Sequence, residues 1–393
     1  MPSATPGTPA GSDLLQIDEQ LNDDERLVRD TVRDFAADRI QPHIADWFEA
    51  GTLPRDLMPE LGKLGLLGMH LTGYGCAGMG PVAYGVACRE LEAVDSGLRS
   101  MVSVQGSLAM YPIWKFGSEE QKSQWLPRMA AGEAVGCFGL TEPDHGSDPA
   151  GMRTRARRDG SDWVLSGTKM WITNGSIADV AIIWASTEEG VRGFVVPTDA
   201  RGFTARDIHK KLALRASITS ELHLDDVRLP ADTELPGVKG LKGPLSCLTE
   251  ARFGIIWGAT GAARACFECA VDYARTREQF GRPIAGFQLT QRKLAEMVVE
   301  VNRSGLLALT LGRLKDAGTL HPSQVSLGKF ANVRGALDVA RTARTVLGAN
   351  GITLEYPVMR HASNLETVVT YEGTEEVHAL TIGNALTGLN AFR

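Results

Sequence analysis

The chain has 393 residues, of which 43% are hydrophobic and 22% are charged, and its formal net charge is −6. This composition is ordinary for a soluble globular enzyme, and the length permits two or three domains with sizeable cores. The acidic balance gives no general attraction to nucleic acid or anionic lipid, and no apolar run approaches the ~18 residues of a membrane span. Neither a nucleic acid nor a membrane is therefore expected as a partner.

The N-terminal segment differs in composition from the rest of the chain. Met1 to Ser12 is rich in Pro, Gly, Ala and Thr, and it contains no basic residue and no apolar stretch. This fits a disordered leader, assigned to residues 1–17, and neither a secretory signal nor an Arg-rich transit peptide. A bacterial cytoplasmic location is expected, with a processed organellar precursor as the alternative.

Residues 18–133 show helical periodicity. Apolar residues follow helical spacing in three stretches: Asn22–Ala45, Leu57–Leu66 and Val82–Glu92. Ser118 and Gln121 have the spacing of a capping box, which predicts a further helix that reaches about Ala131. We expect an N-terminal α-helical domain here.

The pattern changes to β-branched and aromatic runs in residues 134–238. The predicted strands are Trp163–Thr173, Val180–Ala185, Gly193–Pro197 and Glu221–Leu229. Glycines, Asn174 and Asp225–Asp226 separate these runs as turn residues do. The pattern predicts a compact β-domain in the middle of the chain.

Residues 239–393 return to helical periodicity. The predicted helices are Leu245–Arg275, Gln288–Ala317, Ser323–Leu347, Pro357–Tyr371 and Thr374–Asn390. Their apolar stripes, such as the one from Leu294 to Leu309, suit core packing or a helical bundle between subunits. The fold class is therefore expected to be α+β, with an N-terminal helical domain, a middle β-domain and a C-terminal helical bundle.

The six cysteines include one pair with the spacing of a redox or zinc motif, Cys266 and Cys269. This pair lies within a predicted helix, and no second pair or histidine cluster accompanies it. We therefore expect reduced, buried thiols and no metal site.

A single glutamate near the C-terminus has the setting of a general base. Glu372 lies between two predicted helices, where Gly373 suits a helix stop and Thr374 can cap the next helix. A carboxylate held at such a break can be directed into a cleft, as proton abstraction from carbon requires. The alternative is a surface glutamate beside a C-cap glycine.

Four further motifs accompany Glu372: Cys137–Asp148, Lys169–Asn174, Arg277–Gly281 and Leu347–Gly351. In this order and spacing the chain resembles the flavin-dependent acyl-CoA dehydrogenase family, from about Asp18 to Phe392. Within that family, the segments Arg89–Ser100 and Ile382–Gly388 look most like the glutaryl-CoA dehydrogenase subgroup.

The resemblance implies an FAD site built from several segments. The residues placed along one side of the isoalloxazine are Phe138, Leu140, Thr141, Gly146 and Ser147. Those placed on the opposite wall are Trp171, Ile172 and Thr173, and Thr374 is placed within reach of the flavin. The residues that a neighbouring subunit offers to the pyrophosphate and adenine are Arg277, Phe280 and Gln288, while backbone for the pyrophosphate comes from Thr345, Leu347 and Gly348. Taken alone, Trp171 could equally be a core strand residue and Arg277 an exposed helix-end charge.

The resemblance also implies the substrate site. Glu372 would abstract the α-proton, and its backbone N–H would bind the thioester oxygen, for which Gly373 leaves room. Arg99 could hold a distal carboxylate bidentately, with Ser100 as an additional donor. The other residues assigned to substrate are Glu92, two helical turns before Arg99, Tyr371, Ser147, Leu245 and Arg252, the last placed near the CoA phosphates.

The expected function is the FAD-dependent oxidation and decarboxylation of glutaryl-CoA to crotonyl-CoA and CO2. The implied partners are glutaryl-CoA or a similar acyl-CoA, an electron-transferring flavoprotein, and identical subunits in a homotetramer. Two alternatives stand beside this interpretation. One is a dehydrogenase for another short-chain or dicarboxylic acyl-CoA that does not decarboxylate, and the other is a flavin- or CoA-binding protein without turnover.

Overall fold

A computed structural model describes residues 11–392, in which a β-sheet region separates two groups of helices. The first group comprises α1 (Asp23–Phe35), α2 (Ile44–Ala50), α3 (Leu57–Lys63), α4 (Pro81–Val94), α5 (Ser96–Ser103), α6 (Tyr111–Phe116) and α7 (Glu119–Ala130). The predicted capping box is confirmed, because Ser118 Oγ accepts from the backbone N–H of Gln121 at 3.3 Å and Gln121 Oε1 accepts from that of Ser118 at 3.0 Å.

The predicted helix from Asn22 to Ala45 is interrupted. After α1 the chain forms a π-helical stretch, Ala36–Ile40, and α2 starts only at Ile44. Pro42 lies in the gap, and its lack of an N–H removes a hydrogen bond that a continuous helix would need.

The segment predicted to be a disordered leader is ordered in part. The Ser12 hydroxyl donates to Glu268 Oε1 at 2.6 Å, and the Leu15 N–H donates to Asn302 Oδ1 at 3.0 Å. Ile17 is buried in the core. The prediction is therefore wrong for residues 12–17, because side chains nearly three hundred positions later supply partners that local composition cannot indicate. Residues 1–10 lie outside the described residues.

The middle of the chain forms one mixed sheet. Its strands are β1 (Gly136–Gly139), β2 (Arg155–Asp159), β3 (Asp162–Thr173), β4 (Val180–Thr187), β5 (Gly190–Pro197), β6 (Phe203–Asp207) and β7 (Thr219–Leu229). They follow the order β1-β4-β2-β3-β7-β6, with β5 paired to β4. Strand β1 runs parallel to β4, whereas β3 and β7 are antiparallel. The four predicted strands are confirmed.

The C-terminal group contains five helices and a short hairpin. They are α8 (Lys242–Thr276), β8 (Glu278–Gln279), β9 (Arg282–Pro283), α9 (Gln288–Asp316), α10 (Pro322–Leu347), α11 (Val358–Val368) and α12 (Glu375–Thr387). On α9, Met297, Val301 and Leu309 pack into the core of the chain itself, whereas Leu306 is 42% exposed. The apolar stripe thus serves the core in part and leaves an exposed apolar remainder.

Two further features concern the helices. Cys266 and Cys269 both lie on α8 as free thiols, the first buried and the second half-buried. None of the helices between residues 11 and 392 is long and apolar enough to cross a lipid bilayer.

Candidate active site

Glu372 lies in the tight turn between α11 and α12. Its backbone φ is +53° and that of Gly373 is +99°, so two successive residues occupy the left-handed half of conformational space. Thr374 caps α12, because its hydroxyl oxygen accepts from the Val377 N–H at 3.3 Å. Glycine adopts this conformation freely. For a glutamate it costs about 1–3 kcal/mol, so contacts with surrounding residues must hold the backbone in place.

Two basic side chains hold this turn by its backbone. Lys329 Nζ donates to the carbonyl oxygens of Tyr371 at 2.6 Å and Gly373 at 2.7 Å. Arg252 Nε donates to the carbonyl oxygen of Glu372 at 2.6 Å. Three successive carbonyls are therefore held by side chains from α10 and α8.

These contacts add a role for Arg252 and bring Lys329 into the site. Arg252 contacts the Glu372 turn through Nε, and its predicted position near the CoA phosphates stays a prediction. Sequence reasoning missed Lys329, because it lies within a long helix and outside every motif.

The carboxyl group of Glu372 is enclosed. Its Oε2 atom is buried and has no hydrogen-bond partner among the described residues. Burial raises the pKa of Glu372, although the nearby charges of Arg99, Lys329 and Arg252 oppose that rise. A poorly solvated carboxylate with a raised pKa is suited to accept a proton from a weak carbon acid.

Arg99 on α5 lies beside this turn and is fully buried. Its Nε donates to Glu92 Oε2 at 2.7 Å, and Glu92 Oε1 accepts from the Ser96 hydroxyl at 2.8 Å. Burial alone would lower the pKa of Arg99, but Tyr371, Glu92 and Glu372 raise it well above its usual value. The guanidinium is therefore permanently charged.

The remaining guanidinium nitrogens of Arg99 point to two different environments. Nη2 donates to the hydroxyl of Tyr371, which lies 3.4 Å from Ser100 Oγ. Nη1 is buried and has no partner among residues 11–392. Arg99 thus keeps one donor for a further acceptor, next to the residue that precedes the candidate base.

The contact between Glu92 and Arg99 has a different structural cause from the one predicted. Helical spacing placed them two turns apart on one helix, but α4 ends at Val94 and the chain is extended at Asp95. The Asp95 carboxylate accepts from the Gly97 N–H at 2.7 Å and from Arg360 Nε at 3.0 Å. A side chain of α11 therefore fixes the bend that brings α5 back over the end of α4.

The Glu92–Arg99 pair depends on a glycine of α8. A Cβ atom added to Gly258 would overlap Glu92 Oε2. We expect Gly258→Ala to displace Glu92 and to lower the free energy of unfolding by about 1–3 kcal/mol. Gly383→Ala is the matched control, since no atom lies within 4 Å of the added Cβ on α12. Urea unfolding measures this difference, and equal free energies of unfolding for the two variants would contradict this account.

The side chains of the residues predicted to form one flavin wall point to opposite faces of β3. Trp171 is 56% exposed and has a left-handed backbone, with φ +63°, and Thr173 is half-buried. The Ile172 side chain points the other way into the core of the sheet, as alternation along a strand requires. Ile172 can therefore contribute to the predicted wall only through its backbone, and its contact with a flavin stays a prediction.

The two middle-domain flavin motifs are adjacent. The Met170 N–H donates to the carbonyl oxygen of Thr141 at 2.8 Å, which places the end of β1 beside Trp171. Phe138 and Leu140 are nearly buried in the core, whereas Thr141 is half-buried and Gly146 and Ser147 are exposed. An exposed indole beside short hydroxyl side chains and open backbone fits a planar ring with a polar edge.

A buried ion pair holds this edge of the sheet in place. Lys169 Nζ lies 2.8 Å from Glu142 Oε1 and donates to the Leu140 carbonyl at 3.0 Å. Glu142 also accepts from the N–H groups of Arg153 and Thr154, at 2.6 and 2.9 Å. Burial raises the pKa of Glu142, but the hydrogen bonds from Lys169 and Thr154 outweigh it and lower the value to about 2. The pair supports the loop that carries Thr141, a role that the turn pattern alone did not indicate.

The residues predicted to serve a neighbouring subunit project away from the core. Arg277 and Gln288 are exposed, and Phe280 is 95% exposed at the tip of the β8–β9 hairpin. Thr345 and Gly348 are exposed at the end of α10, where Gly348 has φ +61° and ψ −133°, a conformation that glycine alone adopts readily. The Leu347 side chain is in the core, so only its backbone is available for a ligand.

Comparisons with known proteins cover almost the whole chain. Three family models match it: "Acyl-CoA dehydrogenase, N-terminal domain" at residues 22–133, "middle domain" at 137–227 and "C-terminal domain" at 238–387. Among solved structures, a glutaryl-CoA dehydrogenase from Mycobacterium smegmatis is 68% identical, with a TM-score of 0.96 over 98% of this chain and 100% of that one.

Two other matches are informative. A glutaryl-CoA dehydrogenase structure from M. smegmatis in complex with FADH2 is 62% identical, with a TM-score of 0.96 over 97% of this chain and 98% of that one. The mitochondrial short-chain specific acyl-CoA dehydrogenase of Bos taurus is 36% identical over 95% of this chain and 92% of its own length.

Proposed function

Because the chain belongs to the acyl-CoA dehydrogenase family, we propose that it oxidises glutaryl-CoA and decarboxylates the product to crotonyl-CoA and CO2. The observation that carries this proposal is the buried guanidinium of Arg99 beside the Glu372 turn. Glu92 offsets part of the cost of burying this guanidinium, and the remaining donor, Nη1, is one that a site for plain acyl chains would not use. The M. smegmatis structures with 68% and 62% identity, both glutaryl-CoA dehydrogenases, support the same substrate.

In the proposed reaction, Arg99 binds the distal carboxylate of the substrate. Its Nη1 is the donor without a partner in the described chain, and Ser100 and Tyr371 add hydroxyl groups at the same place. Charge-assisted bonds of this kind hold a planar carboxylate in one orientation. The acyl chain is thereby fixed at its far end.

Glu372 is the proposed base, and it takes the proton from the α-carbon. Its backbone N–H stabilises the negative charge that develops on the thioester oxygen, a contribution of several kcal/mol in sites of this kind. FAD is the cofactor, and when bound it accepts the hydride that leaves the β-carbon. Trp171, Thr141 and Thr173 would hold its ring, with Arg277, Phe280 and Gln288 contributed by a neighbouring subunit of a homotetramer.

The proposal extends to its physiological setting. An electron-transferring flavoprotein would reoxidise the cofactor, and the enzyme would act in the bacterial cytoplasm. The second candidate is a dehydrogenase for unsubstituted short-chain acyl-CoA, which the 36% identity to the bovine short-chain enzyme favours. This second candidate gives no function to the buried Glu92–Arg99 ion pair.

Decarboxylation should follow oxidation within the same site. After oxidation the new double bond joins the thioester to the methylene carbon that carries the distal carboxylate. When the bond to CO2 breaks, its electron pair is delocalised as a dienolate whose oxygen the Glu372 N–H already stabilises. Glu92 and Tyr371 share the charge of Arg99, which lets the carboxylate bind as an anion and leave as neutral CO2. Protonated Glu372 then returns its proton to the terminal carbon.

The experiment is product analysis by mass spectrometry with an artificial electron acceptor. We expect crotonyl-CoA together with labelled CO2 from glutaryl-CoA labelled in its distal carboxyl group. Glutaconyl-CoA accumulating as the end product would make the enzyme a dehydrogenase that does not decarboxylate. A higher kcat/KM for butyryl-CoA than for glutaryl-CoA would favour the second candidate.

A further inference from the structure

Lys329 is the most unusual charged group near the candidate base. It projects from α10, is 1% exposed, and its ammonium has two carbonyl partners in the described chain and no carboxylate within ion-pair distance. A buried cation without a carboxylate partner is costly to fold. Its position is therefore better explained by what it does for the Glu372 turn than by a contribution to stability.

Lys329 counteracts the backbone strain of the Glu372–Gly373 turn. The φ values of +53° at Glu372 and +99° at Gly373 are not conformations that a free chain would prefer with glutamate. By binding the carbonyls on either side of Glu372, those of Tyr371 and Gly373, one ammonium bridges the strained residue. Arg252 binds the carbonyl between them.

We propose that Lys329 is a positioning residue that locks the left-handed Glu372–Gly373 turn and, through its charge, favours the ionised form of the Glu372 carboxyl group. The inference rests on the proposed role of Glu372 as base, and it is independent of which acyl chain is oxidised. Lys329 touches neither the substrate nor the reacting atoms in this account. It acts through the residue that it holds.

The charges around the base agree with this role. Arg99 from α5, Arg252 from α8 and Lys329 from α10 lower the pKa of Glu372 against the effect of burial, and Glu92 from α4 raises it. Burial lowers the pKa of Lys329 to about 7, whereas the charge of Glu372 raises it, so Lys329 carries its positive charge below neutral pH.

Two more groups face the turn without supplying charge. His378 on α12 faces Gly373, and burial lowers its pKa to about 3, so it remains neutral near neutral pH. Burial also raises the pKa of the Tyr371 hydroxyl, which keeps it protonated. Lys329 is thus one of three cations that can hold the base ionised.

The test compares Lys329→Gln and Lys329→Met with the wild-type holoenzyme in stopped-flow reduction of the flavin, from about pH 5 to about pH 9. Glutamine keeps amide donors for the carbonyls and removes the charge, so the acidic limb of the rate profile should move up by about one pH unit or more. Methionine removes both functions, and the limiting rate should also fall about tenfold to a hundredfold. Lys211→Gln is the control, since that lysine also donates to backbone carbonyls, those of Leu214 and Ser217, but to none of the Glu372 turn.

A second readout does not depend on turnover. Calorimetric binding of a CoA thioether in buffers of different ionisation enthalpy reports proton uptake, and the uptake by Lys329→Gln should be centred at higher pH than in the wild type. If Lys329→Gln fails to retain FAD, Lys329→Arg replaces it, and here the limiting rate should fall while the acidic limb stays in place.

The outcomes separate this inference from the proposed function. An unmoved acidic limb in Lys329→Gln, with equal rate losses in both variants at every pH, would make Lys329 a structural residue only and overturn the inference. A shifted limb in Lys329→Arg would overturn it as well. A wild-type enzyme that reduces its flavin with butyryl-CoA but not with glutaryl-CoA would contradict the proposed substrate alone, and the Lys329 comparison would then proceed with butyryl-CoA.

Discussion

Glu372→Gln is expected to retain FAD and to bind CoA esters, yet to lose reduction of the flavin by substrate by at least about a hundred- to ten-thousand-fold. The amide fills the same volume in the turn but cannot accept the α-proton, so the loss should appear in the chemical step and not in binding. Anaerobic stopped-flow absorbance with saturating glutaryl-CoA measures that step directly.

Glu376→Gln is the matched control for this variant. Glu376 is exposed on the first turn of α12, four residues from the base, and the same change of charge there should leave the rate unaltered. If Glu372→Gln reduced its flavin at the wild-type rate, the base would have to be another residue, and the role proposed for Lys329 would fail with it.

Arg99→Met is expected to change the preference between two substrates. Loss of a buried charge-assisted contact costs on the order of 2–5 kcal/mol, so kcat/KM for glutaryl-CoA should fall by about 30- to 4,000-fold. Butyryl-CoA has no distal carboxylate and should lose far less. Parallel kcat/KM measurements on both esters give the ratio that decides the assignment.

Removing Arg99 alone leaves Glu92 buried and unpaired, which could unfold the protein locally. The double variant Arg99→Met/Glu92→Gln removes both charges and should retain FAD while keeping the altered preference. Arg292→Met, at an exposed position on α9, controls for the loss of one positive charge. An equal decrease for both esters in the double variant would mean that the pair is structural and that the dicarboxylate assignment is wrong.

The local part of the candidate site was predictable from sequence, and the long-range part was not. A glycine and a threonine directly after Glu372 indicated the break between α11 and α12 and the cap on α12, both of which are confirmed. Lys329 and Arg252 contact the turn across sequence separations of 42 and 120 residues. The hydrophobic periodicity of a sequence does not indicate contacts of this kind. The roles of these residues in catalysis stay predictions.

The same division holds for the fold. Long amphipathic helices and the strands with β-branched residues were predicted to within a few residues, because burial of one face imposes a period on the sequence. Strands β2 and β6 are short and largely charged or exposed, so they pair through their backbones without an apolar pattern. The bend at Asp95 depends on Arg360 and Asn364 of α11, which sequence spacing could not reveal.

Tyr371 contacts both Arg99 and Lys329, and so links the predicted carboxylate-binding group to the turn that carries Glu372. Its hydroxyl accepts from Arg99, its carbonyl accepts from Lys329, and the next residue along the backbone is Glu372. In the proposed reaction, a hydroxyl beside the distal carboxylate and the base that acts on the α-carbon therefore belong to adjacent residues. A substitution at Tyr371 would therefore act on both ends of the acyl chain, whereas Arg99→Met removes the far-end contact without changing the residue next to the base.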